Sequence, residues 1–318
     1  MAAVFLALAS SLTWGVADFS GGMLTRRMPL AAVTVFSQAA GFALLLVLLA
    51  VMVVPALDPA HASAATTLKV FAAASLDKAF PAEAGAFKAT HPKYKNVKFS
   101  FEFLGTDVLV AQIINEPAAA DVFAGASTAY GDTLANHVDG SSNPDPLIQP
   151  YVKFCQNKLC VVLPKGNLAG IASLADVASK STQIAVGQAS VPIGKYTNTV
   201  LTNIAADANY GAAYKTTIQS KSIYLQNVAS IDGVVAFGGV DAGFVYNSDY
   251  KQLVPYGVTR VIIPDTYQTS PLPTYPLART THTTHPVLAQ KFVNFVYGKS
   301  GQKILKAWGF LPKPPVTP

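Results

Sequence analysis

Apolar and polar positions alternate in short blocks over most of the chain, from about residue 66 onward. Runs rich in Val, Ile, Phe and Tyr are separated by stretches with the spacing of amphipathic helices. Strands that alternate with helices in this way are typical of an α/β fold with mostly parallel sheets. The predicted strands are LKVFAAAS, NVKFSFEFLG, ADVFAGAS, KLCVVLP, QIAVG, SIYLQNV, AGFVYNS and TRVIIP.

The stretches between these runs predict helices, among them one from about Leu76 to Thr90 and one from about Asp107 to Asn115. Pro81 falls inside the first helix, which predicts a kink or a shortened first turn there. Near the C-terminus, Leu288 and Phe292 belong to an apolar stripe with the spacing of a helix that faces a core.

The N-terminal part of the chain differs from the rest because it contains two long apolar segments, from about Ala2 to Leu24 and from about Leu30 to Val54. Each exceeds the roughly 20 residues that a helix needs to span a membrane. Arg26 and Arg27 lie between them, and the positive-inside tendency places this loop in the cytoplasm and the rest of the chain outside. The region also has the parts of a secretory signal peptide, with an Ala-His-Ala sequence ending at Ala62. Both interpretations, a retained hydrophobic helical hairpin and a cleaved signal, predict export.

The amino-acid composition agrees with an apolar N-terminal region followed by an exported globular region. The 318-residue chain is 51% hydrophobic and only 13% charged, against about 25% charged residues in ordinary soluble domains. Roughly 250 residues remain after the N-terminal segments, enough to build one large domain or two lobes. The net charge of +6 and the pI near 9.1 would attract an anion over a long range, and would serve solubility equally well. The sequence contains no nucleic-acid-binding motif.

The two cysteines, Cys155 and Cys160, are separated by QNKL. An oxidising compartment would permit a disulfide between them across a hairpin-like turn. Two unpaired, buried thiols are the alternative, because spacing does not establish the geometry of a disulfide. Two cysteines alone make a poor zinc site.

Several predicted strand-to-helix junctions place small or hydroxyl-bearing residues at a helix start. Ser75 follows the first strand, Thr106 follows the second within LGTD, Ile193 lies in VPIGKY, and Val228 begins a fourth junction. Helix N-termini have free backbone N–H groups and a partial positive charge, and ligands of open α/β sheets gather at the carboxyl ends of strands. Converging junctions would therefore surround a small oxyanion with uncharged donors. Ser75 on its own fits equally well as a helix N-cap.

Five segments in order, VFAAASL, ADVFAGAS, VPIGKY, GGVDAGFVYNSD and GQKILKAWGF, resemble the extracytoplasmic molybdate-binding proteins of ABC importers. The resemblance extends from about Leu68 to Phe310. It implies a two-lobed type II periplasmic-binding-protein fold in which crossing strands join the lobes. It also implies a monomer that binds molybdate or tungstate as its ligand, uses no cofactor or metal ion beyond the bound oxyanion, and delivers that ligand to an ABC permease.

The resemblance also implies the residues of the site. Its two hydroxyl donors fall on Ser75 and Thr106, its backbone donors on Ile193 and Val228, and its tyrosine on Tyr246. A strand tyrosine such as Tyr246 is otherwise most often a core residue. Thr106 replaces a serine of the family pattern. Asp107 beside it would repel a dianion unless the helix dipole holds its side chain outward.

The domain boundaries follow from the resemblance together with the strand pattern. We expect hydrophobic membrane or export segments over residues 1–56, a linker over 57–66, a first lobe over 67–152 and 266–318, and a second lobe over 153–265. The hinge is expected in KFCQNKLCVV and TYPLART.

The N-terminal region has a separate resemblance. The pattern WGVADFSGG over residues 14–22, with the apolar run after it, is similar to the first two helices of the drug/metabolite transporter superfamily. The remaining helices of such a transporter are absent from the sequence. Two helices cannot form its pathway, so this region is expected to act as an export or membrane anchor, and a transporter fragment is the alternative.

Two further alternatives concern the exported part. His282 and His285 form an HTTH sequence, but without a glutamate and on a predicted loop this pattern is weak support for a metalloenzyme. No nucleophile–base pair can be assembled from the sequence, so no catalytic residues are predicted. A different tetrahedral oxyanion, such as sulfate, would keep the fold and change the ligand.

Overall fold

The computed structural model describes residues 66–315, which form two five-stranded sheets with helices packed on them. The predicted hydrophobic hairpin, the cleavage point at Ala62 and the transporter-like pattern lie outside the described residues. Within 66–315, no helix has the length and apolar character that a membrane span requires.

The first sheet has the strand order β2-β1-β3-β10-β4, and the second has the order β7-β6-β8-β5-β9. The strands of the first sheet are β1 (Thr67–Ala73), β2 (Lys98–Leu104), β3 (Val122–Ala124), β4 (Val152–Gln156) and β10 (Thr274–Arg279). Those of the second are β5 (Leu159–Leu163), β6 (Ile184–Gly187), β7 (Ser222–Leu225), β8 (Ala242–Tyr246) and β9 (Thr259–Ile262).

Helices follow most strands, as the alternation of patterns predicts. Short 3-10 turns lie at Ala74–Leu76, Pro92–Tyr94, Val254–Tyr256 and Asp265–Tyr267. The α-helices of the described part are α1 (Ala79–Thr90), α2 (Thr106–Asn115), α3 (Thr128–Ala135), α4 (Leu174–Lys180), α5 (Pro192–Ala206), α6 (Ala213–Ser220), α7 (Val228–Ala236), α8 (Asn247–Leu253), α9 (Pro286–Tyr297) and α10 (Lys299–Ala307).

The sheets are mixed rather than mostly parallel, and this corrects the sequence-based expectation. In the first sheet, β1 pairs in parallel with β2 and β3, whereas β10 pairs antiparallel with β3 and β4. In the second, β6 pairs in parallel with β7 and β8, whereas β5 pairs antiparallel with β8 and β9. The antiparallel strands are those next to the crossings between the sheets, where the chain reverses its direction.

The chain passes between the sheets twice. The first crossing is Asn157 and Lys158, between β4 and β5, and the second is residues 263–273, between β9 and β10. Each sheet has its own hydrophobic core, one around Phe80 and Phe292 and the other around Val161 and Phe244. The fold is therefore α/β and two-lobed.

The helix that follows β1 begins later than the sequence predicts. Ser75 lies in the 3-10 turn Ala74–Leu76, and α1 starts at Ala79. Pro81 is then in the first turn of α1, where its missing N–H has no intrahelical acceptor to lose, so the helix needs no kink there.

Cys155 and Cys160 are free thiols, so the structure does not contain the disulfide considered from the sequence. The reason is that β4 carries Cys155 into the first sheet whereas β5 carries Cys160 into the second. Both side chains are buried, and burial raises the pKa of each thiol.

Candidate functional site

The five residues predicted to bind a ligand all line one cavity between the lobes. Ser75 and Thr106 reach it from the first lobe, and Ile193, Val228 and Tyr246 reach it from the second. Their exposed fractions run from 1% to 4%, so the two lobes together cover these side chains almost completely.

The cavity is small, with a volume of about 20 Å³. One water molecule needs roughly 10–15 Å³ on the same scale. The space thus suits a compact group of a few atoms, and in this closed arrangement it excludes sugars and amino acids.

The strands place these residues together because their carboxyl ends meet at the cleft. β1 ends just before Ser75, and β2 ends just before Thr106. In the second lobe, β6 and β7 lead into α5 and α7, and β8 ends at Tyr246 itself. This is the edge at which open α/β sheets gather ligands.

The backbone of the second lobe presents two helix N-termini to the cavity. Val191 precedes α5 and makes no side-chain cap, so the N–H of Ile193 in the first turn has no intrahelical acceptor. Asn227 caps α7 through Ser230 N–H, at 2.9 Å, which leaves the N–H of Val228 without an intrahelical acceptor. Both N–H groups are suited to bind an anion.

Side-chain hydroxyls add the other donors. The Thr106 oxygen accepts a hydrogen bond from Ala126 N–H at 3.1 Å, and the Ser75 oxygen lies 3.0 Å from the Tyr275 hydroxyl. The Tyr246 hydroxyl is buried and has no hydrogen-bond partner among the described residues. Burial raises the pKa of Tyr246, so its hydroxyl remains a neutral donor.

No charged side chain of residues 66–315 lines the cavity. Asp107 is in the first turn of α2 and is not among the lining residues. Its Oδ1 atom is nevertheless buried without a hydrogen-bond partner in the described part and lies beside Gly105, which lines the cavity, so the outward orientation considered from the sequence is not supported. Asp249 lies behind Tyr246 and accepts its backbone N–H at 3.1 Å. Burial raises the pKa of Asp249 well above its usual range, so a neutral carboxyl is favoured next to the site.

Contacts outside the cavity also join the lobes. The Tyr130 hydroxyl on α3 donates to the backbone oxygen of Ser190, which precedes α5. Lys195 on α5 donates to the Tyr130 oxygen at 3.1 Å, and its ammonium lies 4.6 Å from the centre of the Tyr130 ring. We call these three residues the Tyr130 latch.

The structure also brings in residues that sequence reasoning missed. Asn227 lines the cavity and caps α7, and its Asn–Val step at a helix start could have indicated this. Ala126 lies in ADVFAGAS, lines the cavity and donates its N–H to the Thr106 oxygen, and the resemblance implies no role for it. Tyr275 contacts Ser75 from a strand 200 positions further along the chain, and no local pattern indicates such a contact.

His282 and His285, the histidines considered for a metalloenzyme, do not line the cavity between the lobes. His285 N–H donates to the Thr283 hydroxyl, and the Thr283 hydroxyl donates to Asp121. Within the described residues, no group of three or more His, Cys, Asp or Glu side chains could hold a metal ion.

Two lobes, each built on a mixed sheet, with a small uncharged cavity between them, are the architecture of the periplasmic-binding-protein fold. The family model described as bacterial extracellular solute-binding protein matches residues 68–311, and the chain belongs to this family.

Among its curated relatives is the molybdate-binding protein ModA of Mycobacterium tuberculosis, 33% identical over 257 residues, which are 80% of this chain and 89% of ModA. Among solved structures, the periplasmic molybdate-binding protein of Azotobacter vinelandii matches with a TM-score of 0.63 and 20% identity, over 78% of this chain and 100% of that one. The sulfate-binding protein SubI of M. tuberculosis matches with a TM-score of 0.61 and 18% identity, over 78% of this chain and 87% of SubI. At these sequence identities, the similarity to the two structures supports the fold alone.

Proposed function

We propose that the protein is an extracytoplasmic solute-binding protein that captures molybdate or tungstate between its lobes and delivers it to an ABC permease. The observation that supports this best is a closed, uncharged cavity of about 20 Å³ on which hydroxyls and helix N-termini of both lobes converge. The 33% identity to a molybdate-binding protein gives independent support.

The chemistry of the cavity favours an oxyanion without protons. A site made only of donors satisfies every oxygen of a fully deprotonated tetrahedral anion. Hydrogen phosphate would bring its own proton into a site that offers it no acceptor, and a buried donor without a partner costs about 1–3 kcal/mol. Molybdate and tungstate carry no proton near neutral pH and are nearly equal in size, so both fit the proposal.

Sulfate is the alternative ligand, because it has the same charge and also lacks a proton. Its shorter bonds make it smaller than molybdate, so its oxygens would not reach all donors at once. The choice between them is therefore a matter of cavity size rather than of charge.

The proposed role is binding and delivery, not catalysis. The protein would act as a monomer, and the hydrophobic segments in residues 1–56 would export or anchor it at the outer face of the membrane.

Isothermal titration calorimetry on the purified full-length chain tests the proposal, with molybdate, tungstate, sulfate and phosphate titrated separately at neutral pH. We expect tight binding of molybdate and tungstate and little heat from the other two. Equal binding of sulfate would change the function to that of a broader oxyanion carrier. Absence of heat from all four anions would refute the proposal.

A further inference from the structure

A chain of buried polar side chains runs from Ser75 to the other lobe through the first crossing. The Ser75 oxygen is 3.0 Å from the Tyr275 hydroxyl, and Asn157 Nδ2 is 3.4 Å from the same hydroxyl and 2.9 Å from the Ser248 oxygen. All four side chains are buried. The proposed function gives a role to Ser75 but none to the three residues behind it.

The direction of these hydrogen bonds follows from the backbone. Asn157 Oδ1 accepts the N–H of Lys158 at 3.0 Å, which fixes the orientation of the amide. Asn157 Nδ2 is then the atom that faces Tyr275 and Ser248, and it can only donate. Tyr275 therefore receives a hydrogen bond from Asn157 and keeps its own proton for another acceptor.

The acceptor available to that proton is Ser75. Burial raises the pKa of Tyr275, so the phenol stays protonated. If Tyr275 donates to the Ser75 oxygen, the Ser75 proton is free to point into the cavity that this residue lines. The Thr106 proton is also free to point into the cavity, because the Thr106 oxygen already accepts a hydrogen bond from Ala126 N–H.

We propose that Tyr275 is a positioning residue that holds the Ser75 hydroxyl as a donor and keeps it from accepting a proton of the ligand. This rests on the proposed function and deepens it, because it names the group that excludes protonated oxyanions. Without Tyr275 the Ser75 hydroxyl could turn, and its oxygen could accept the proton of an anion such as hydrogen arsenate.

The variant that tests this is Tyr275→Phe. It removes the hydroxyl and keeps the ring, which packs edge-to-face on Phe154 and Phe310 with centroids 6.2 and 5.5 Å away. The matched control is Tyr214→Phe, which also removes a buried tyrosine hydrogen bond, to Leu174 O at 2.9 Å, and does so away from the cavity.

Dissociation constants for molybdate and for hydrogen arsenate are measured on the full-length chain and on both variants, by calorimetry and by competition. Arsenate keeps a proton near neutral pH and is nearer to molybdate in size than phosphate is. We expect Tyr275→Phe to bind molybdate about tenfold more weakly and to bind arsenate as well as the unaltered chain or better, so that the preference for molybdate falls at least tenfold. Tyr214→Phe should keep the preference.

An equal loss for both anions in Tyr275→Phe would mean that the hydroxyl only supports the structure, and it would overturn the inference while leaving the proposed function intact. Unchanged affinities would overturn it as well. If the unaltered chain bound neither anion, the proposed function itself would fail, and the inference with it.

Discussion

At the scale of single residues, the site depends on which hydroxyl hydrogens are free to face a ligand. Ser75 and Thr106 each lie within hydrogen-bond distance of a second group that can occupy the oxygen, and Tyr246 has no partner among the described residues. Each of these hydroxyls can thus donate one hydrogen bond to an anion without breaking another.

Replacement of Ser75 by alanine should weaken molybdate binding by about 1–3 kcal/mol, because one anion oxygen would lose its donor inside a closed cavity. Calorimetry measures the change. The control is Ser179→Ala, since Ser179 is an exposed helix serine whose hydroxyl bonds only to Ala175 O. An unchanged affinity in Ser75→Ala would leave Ser75 with a purely structural role.

Glu83 gives a prediction about stability. Its carboxylate is fully buried on α1 with no hydrogen-bond partner in the described part, and burial raises its pKa from 4.5 to about 8. The folded state therefore binds the proton more tightly than the unfolded state does. The stabilisation of the fold by the proton on Glu83 is complete below pH 4.5 and is lost progressively as the pH rises toward 8.

Glu83→Gln should remove this dependence. Between pH 4.5 and pH 7, the unfolding free energy of the unaltered chain should fall by about 3 kcal/mol relative to that of the variant. Urea unfolding at a series of pH values measures it. Glu116→Gln on the exposed surface is the control, and a difference that stays constant with pH for Glu83→Gln would contradict the assignment.

At the scale of elements, the strand ends and helix starts approach one another closely at glycine positions, of which Gly194 and Gly105 border the cleft. A Cβ on Gly194 would lie 1.9 Å from Gln188 O, so glycine lets α5 begin directly above the loop that leads into it. A Cβ on Gly105 would lie 2.7 Å from the flexible Asp107 carboxylate in its own lobe and 3.0 Å from Gln226 O, across the cleft in the other lobe. The missing side chain of Gly105 thus lets the two lobes approach closely at this point.

Gly105→Ala should act as a wedge between the lobes. We expect it to destabilise the closed form by about 1–3 kcal/mol, the usual cost of an overpacked contact, and to weaken molybdate binding accordingly. Gly85→Ala is the matched control, because nothing lies within 4 Å of a Cβ at this helix position. It should raise stability by roughly 0.5–1 kcal/mol and leave the affinity unchanged. Affinity and thermal unfolding measured side by side separate the two effects.

At the scale of the whole molecule, the proposed capture of a ligand requires the two lobes to close over it. The Tyr130 latch joins α3 of one lobe to the start of α5 in the other, apart from the cavity itself. The latch lies at the surface, so its contribution is modest and adjustable.

Tyr130→Phe should loosen the closed form, because it removes both hydrogen bonds of the hydroxyl and keeps the ring beneath Lys195. We expect ligand release to become several-fold faster, measured by stopped-flow displacement, with a larger average separation of the lobes in small-angle scattering. Tyr151→Phe is the control, since its hydroxyl bonds to Asp132 within a single lobe. Equal release rates in both variants would exclude a role for the latch.

Much of this architecture could be predicted from the sequence, for identifiable reasons. Eight of the ten strands in the described residues were predicted, because buried strands such as β5 are continuously apolar, and the candidate site residues were predicted because they follow such strands directly. The strands β4 and β10 were not predicted, since their segments were assigned to the hinge. The antiparallel pairing of β10 and β5 was not found, since strand direction depends on where the chain crosses between lobes. The contact of Tyr275 with Ser75 was not found either, because it joins residues that only the finished fold brings together.

Two of the five proposed ligand contacts, those at Ile193 and Val228, belong to the main chain. Any residue except proline at these positions would still provide an N–H, so mutation there cannot easily abolish the attraction for an anion. The side chains on the same backbone are buried at the wall of the cavity, and their exchange would alter its width. Substitutions at these positions would thus preserve the attraction for an anion. The same substitutions could change which anion radius the cavity accepts.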